Sequence, residues 1–123
     1  MDSIKIGQLI AMLFLGREIA HREHLRTKSF SQHMALSTFY NEVVEIADSI
    51  AEAYQGRNGI IDKIPLLDND MTGSIDMVLE QQLAAIEKLR YTAVERTETA
   101  IQNLIDEAVA LYLSTLYKLR NLK

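Results

Sequence analysis

Three histidines and two carboxylates carry most of the chemistry open to this sequence. His21, His24 and His33 are all the histidine in the chain, and they fall in the single stretch "AHREHLRTKSFSQH". Asp48 and Glu52 lie four residues apart, so on a helix they stack on neighbouring turns and repel unless a cation lies between them. Imidazole nitrogen with carboxylate oxygen is a ligand set that suits Fe(II), Mn(II) or Zn(II). His33 lies on nearly the same meridian of a helix as Asp48, but about four turns away. One helix cannot fold these groups onto a single ion, so a shared site must bring helices, or subunits, together. A thiolate site is excluded, because the chain has no cysteine. No nucleophile, phosphate loop or Gly-rich turn accompanies His21 and His24, which leaves hydrolase and nucleotide chemistry without support.

The elements that must position these groups are helical. Gly and Pro are scarce, and the 123 residues suffice for one domain, 1–123, with a single core. Ser3 is placed to cap a first helix over about residues 3–24, with Leu9, Leu13 and Ala20 along one side. Ser29, with Gln32 three residues on, forms a capping box for a second helix over about 30–55, which "QGRNG" stops. The segment "IIDKIPLLDNDMTG" holds the only proline, Pro65, and is too long for a tight turn. It reads as a crossover connection with room for a short helical piece. A third helix follows over about 74–91. Thr92-Ala93-Val94-Glu95 resembles a second capping box, opening a fourth helix over about 95–121. Two helices, a long crossover and two more helices give an all-α, up-down-down-up four-helix bundle, the ferritin-like arrangement.

The second helix has two useful faces at 100° per residue. Leu36, Phe39, Val43, Ile46, Ile50 and Tyr54 form the core stripe. A quarter turn away run His33, Ser37, Tyr40, Val44, Asp48 and Ala51, with Glu52 at the edge. That flank is too apolar for water alone and too polar for a core, which suits a subunit interface or a metal site beside one. Glu42, Glu45 and Ser49 read as solvated, as does the pair Asp106-Glu107, while Tyr40 reads as helix packing.

Charge excludes other classes. The net charge is −4 and no basic block exists, whereas binding DNA or another nucleic acid through its phosphates needs a concentrated basic face. Lys118, Arg120 and Lys123 merely answer a helix dipole. No apolar run reaches the roughly 18 residues of a membrane span. "MDSIKIGQLIAMLFLG" reads as an amphipathic core helix rather than a signal peptide, making the cytoplasm the default compartment.

His33, Asp48 and Glu52, in "HMALSTFYNEVVEIADSIAE", reproduce the H-x14-D-x3-E spacing of the Dps-like branch of the ferritin superfamily, which the chain resembles. The block "HLRTKSFSQHMALSTFYNEV…ADSIAEAYQG" also resembles small ferritin-like proteins encoded by bacteriophages. The resemblance implies a homo-oligomer, at least a dimer and in that family a spherical dodecamer. It implies a metal centre across a two-fold axis, with His from one subunit and Asp and Glu from its partner. It further implies iron(II) oxidation by peroxide or oxygen, a ferroxidase activity. His24, with His21 as its rival, and His33 would be nitrogen ligands, Asp48 a bridging carboxylate and Glu52 a terminal one. The chain departs from the pattern in two places. The family's His-Trp pair is missing, and its acidic residue four positions after the second His is Ser37 here, removing one anionic ligand. The contrasting expectation is a non-catalytic structural or assembly protein, phage-encoded and found in host cytoplasm or virion, that keeps the bundle without the chemistry.

Overall fold

In the computed structural model, which describes residues 3–123, four helices follow one another: α1 (Ile4–Arg26), α2 (Phe30–Asn58), α3 (Ile75–Ala93) and α4 (Thr99–Asn121). No strand occurs among the described residues, so the chain is all-α with four helices.

The ends of these helices show which local signals act. Ser29 caps α2 as expected, its hydroxyl accepting the Gln32 N–H at 3.2 Å. Ser3 sits at the N-cap of α1 but does not cap it. Its Oγ instead accepts the Asp62 N–H at 3.1 Å, tying α1 to the connection. α2 runs through Gly56 and ends at Asn58 within the expected "QGRNG", its C-cap Gly59 having a φ of +91° that only glycine adopts freely. The expected capping box at Thr92 does not form. Thr92 Oγ1 donates back to the Leu89 carbonyl, and α4 begins at Thr99 rather than near residue 95.

Arg90 accounts for the later start. Its Nε donates to Gln102 Oε1 and its Nη2 to the Gln102 carbonyl, both at 2.9 Å. Gln102 Nε2 in turn donates to the Val94 carbonyl at 2.9 Å. Arg90 Nη2 also binds Asp106 Oδ1 at 2.7 Å. This network satisfies the carbonyls of the turn, which neither Gly nor Pro marks. Asp106 is therefore an anchor for a buried guanidinium, a correction to its reading as a merely solvated charge.

One apolar core runs between the helices. Leu9, Leu13 and Ala20 of α1 and Leu36, Phe39, Val43 and Ile50 of α2 are fully buried, and Leu79, Ile86 and Ile105 meet them from α3 and α4. α1 packs on α2 and α3, and α4 packs on α2 and α3, leaving α1 and α4 on one diagonal and α2 and α3 on the other. Ion pairs at both ends of α3 and α4 make that pair antiparallel: Arg90 with Asp106, and Arg120 with Asp76 and Glu80. Arg57 binds Glu98 at 2.7 Å and Ser31 Oγ donates to the Leu122 carbonyl at 3.2 Å, so α2 and α4 are antiparallel as well.

Residues 59–74 contain no helix. They are clamped onto α1 at their start. Ile61 is buried and its N–H donates to Gln55 Oε1 at 3.1 Å. A Cβ on Gly7 would collide with the Lys63 carbonyl oxygen, so α1 accepts the connection there only because it has no side chain. Beyond Pro65 the chain rides on the outer surface, with Leu66 102% exposed.

Candidate functional site

The turn between α1 and α2 gathers the histidines. α1 ends at Thr27, whose N–H donates to the Glu23 carbonyl at 2.9 Å, and the Ser29 cap launches α2 two residues on. This tight antiparallel reversal sets His24 and His33 side by side.

The two residues close on each other reciprocally. His24 Nδ1 donates to the His33 carbonyl at 2.7 Å, and His33 Nδ1 donates to the His24 carbonyl at 2.8 Å. A carbonyl only accepts, so each Nδ1 carries a proton, and the lone pair that each ring can offer a metal is the one on Nε2. The rings stack with centroids 3.7 Å apart and planes 19° apart. His21 stacks on Tyr40 at 4.3 Å, and Tyr40 also meets His24 edge-on at 5.2 Å. His24 is 8% exposed, whereas His21, His33 and Tyr40 are half-buried.

A ring nitrogen fixed by a backbone carbonyl is the usual outer support of an imidazole ligand, because it sets the tautomer and aims the other nitrogen. The stacking adds a restriction. A lone pair lies in its ring plane, so an ion in the plane of His24 lies off the plane of His33. The pair therefore offers two separate nitrogens rather than a chelate for one ion.

The carboxylates are elsewhere. Asp48 and Glu52 are exposed and, among the described residues, make no hydrogen bond or ion pair. Asp48 stands about 22 Å from His33 along α2. No group of three or more His, Asp or Glu among the described residues is placed to hold an ion. The structure thus brings His21, His24 and His33 together and leaves Asp48 and Glu52 apart from them, as the helical arithmetic requires of a single chain. Ser37 is half-buried on the same flank, its carbonyl accepting from Asn41 Nδ2 at 2.9 Å.

The flank of α2 is half-buried along His33, Ser37, Tyr40, Val44 and Ala51, and exposed at Asp48 and Glu52. Its first turns are occupied by α1 of the same chain, through His33 and Tyr40. That corrects the reading of the flank as an interface for another subunit over its first turns, which meet α1 instead. Sequence reasoning took Tyr40 for packing alone. Its place seven residues after His33 on one stripe is the signal that could have paired it with the α1 histidines.

No helix among the described residues is long and apolar enough to cross a membrane. No curated protein and no solved structure matches the chain. Over residues 24–119, a span that opens at His24 and takes in His33, Asp48 and Glu52, the sequence matches the family described as "Family of unknown function (DUF5856)". The chain belongs to the DUF5856 family.

Proposed function

We propose that this protein is an iron(II)-binding, ferroxidase-like oligomer with a ferritin-like bundle, whose metal sites are shared between subunits at a two-fold interface. The observation that carries the reading is the state of its donors. His24 and His33 have Nδ1 committed to carbonyls and Nε2 without a partner among the described residues, where Asp48 and Glu52 have none either. Two unpaired carboxylates on adjacent turns favour a cation. His24 (with His21 as rival) and His33 would supply nitrogen, and Asp48 and Glu52 of another subunit would supply oxygen. Fe(II) is the substrate, giving an electron to peroxide or oxygen; Mn(II) or Zn(II) fits the same donors. The up-down-down-up order with a long crossover belongs to this reading. It is supported by α2 ending beside the start of α4 at Arg57 and Glu98, while α3 starts beside the end of α4 at Asp76 and Arg120.

A second reading has its own support. The His24–His33 pair satisfies itself within the chain, and Ser37 replaces an acid of the resembled pattern, as a structural or phage assembly protein without chemistry would allow. Anaerobic Fe(II) titration followed by peroxide separates the two. Stoichiometric binding and ferric absorbance, lost in His33→Ala and Asp48→Ala, support the ferroxidase. A wild type inert at equal concentrations supports the scaffold.

A further inference from the structure

An apolar groove of about 610 Å³ lies on the outer face of α1 and α2, floored by Ala11, Phe14 and Val44 and walled by Ile64, Pro65 and Leu67. At its rim stands Leu66, 102% exposed, with Ile60 79% and Ile64 39% exposed along the same connection. Scattered exposed apolar residues are ordinary, but a wholly unpacked leucine beside an unfilled apolar groove is a knob and a hole on one face. A two-fold contact presents the same patch from both sides, so a patch bearing both parts is complementary to itself.

The charges flanking the groove have matching symmetry. Along α1 from Phe14, Arg17 and Arg22 lie about 5 and 12 Å away, and along α2 from Val44, Asp48 and Glu52 lie about 6 and 12 Å away. The helices are antiparallel, so the cations and the carboxylates extend in opposite directions from the groove. Arg17 and Arg22 share one carboxylate, Glu18, leaving that half net cationic. Asp48 and Glu52 have no ion partner among the described residues. A two-fold axis lying in the contact plane through the groove and running across the helices sets the cationic half of one copy over the anionic half of the other.

We propose that this groove is the contact by which the chain binds a second copy of itself, Leu66 of each copy seating in the groove of the other. The proposal shares the two-fold of the metal reading, and Asp48 and Glu52 enter it as charges rather than as ligands, so its test is run with EDTA present. Leu66 touches little in its own chain, so Leu66→Asp is expected to keep the helical content and melting temperature of the wild type. It should nevertheless reduce the mass measured by light scattering at tens of micromolar, to half for a dimer. The natural absence of cysteine allows a direct check of placement. Leu66→Cys mixed with Val44→Cys under mild oxidation is expected to give a covalent heterodimer.

A monomeric wild type overturns the proposal, and if that monomer takes up an apolar dye displaced by Val44→Trp, the groove belongs to a small ligand. An assembly whose mass Leu66→Asp leaves unchanged, with no mixed crosslink, also overturns it. Dissociation by Leu66→Asp with no Fe(II) uptake by the wild type keeps this contact and removes the metal reading. Iron oxidation by an assembly indifferent to Leu66→Asp does the reverse.

Discussion

The phenol of Tyr112 donates to Oε1 of Gln82 at 2.9 Å, joining α4 to α3 where both side chains are fully buried. Burial pushes the Tyr112 pKa upward, so this hydroxyl remains a donor throughout the working pH range. α1 closes over the pair at Gly16, where a Cβ would lie 2.5 Å from the Tyr112 oxygen and 2.6 Å from Gln82 Oε1. Both neighbours are fully buried and hydrogen-bonded to each other, so Gly16→Ala is expected to destabilise the fold by about 1–3 kcal/mol through overpacking. Urea unfolding followed by circular dichroism measures this, and an unchanged midpoint would refute it.

The same pair leaves one group unmet, because Gln82 Nε2 is buried without an acceptor. Removing one partner strands the other, whereas removing both removes the demand. Tyr112→Phe should therefore cost about 1–2 kcal/mol by stranding Oε1 as well. Tyr112→Phe combined with Gln82→Met should lie close to the wild type or above it. A double-mutant cycle by chemical denaturation measures the coupling, and simple additivity would disprove it.

His24 and His33 each lend a carbonyl and an Nδ1 proton to the other. His33→Ala keeps the backbone carbonyl that accepts from His24 but removes the His33 Nδ1 bond and one stacked ring, at a cost of about 1–2 kcal/mol. His21→Ala removes only the stacking on Tyr40 and should cost less than about 1 kcal/mol. Thermal melts of the two variants order them; equal losses would contradict the reciprocal closure.

The start of α3 responds to acid. The Ser74 hydroxyl holds the Asp76 carboxyl below its ordinary pKa, against a smaller opposing effect of burial, and Arg120 adds to the lowering. A group with a depressed folded pKa stabilises fully above its unfolded value, here 3.8, and loses that contribution as pH falls through the folded pKa. Wild-type stability should thus fall below about pH 4, and Asp76→Asn should lose less over the same range. Melting curves from pH 6 to pH 2.5 compare the two, and parallel curves would exclude the role.

Much of this architecture is readable residue by residue. The stripes of α1 and α2 follow from the 3.6-residue period, because the core they meet is large and apolar. Ser29 caps because its hydroxyl, which also meets the Ser31 hydroxyl at 3.1 Å, keeps a lone pair for the Gln32 N–H. Ser3 fails because Asp62, distant in sequence, offers its N–H instead. The α3–α4 boundary was placed early because Arg90, Gln102 and Asp106 build that turn by contacts between helices, for which no local pattern exists. At the candidate site, the clustering of the histidines was legible from spacing and one turn. Their reciprocal bonding was not, since it depends on the angle at which α1 meets α2.

Gly7 and the Lys63 carbonyl share a space that admits no methyl group, so the strap of residues 59–74 is seated on α1 without clearance. Gly7→Ala would act as a wedge under that strap, tilting Leu66 and the rim around it as a unit. Position 7 is thus a remote adjustment for whatever meets the outer face: it could detune that encounter without contributing an atom to it.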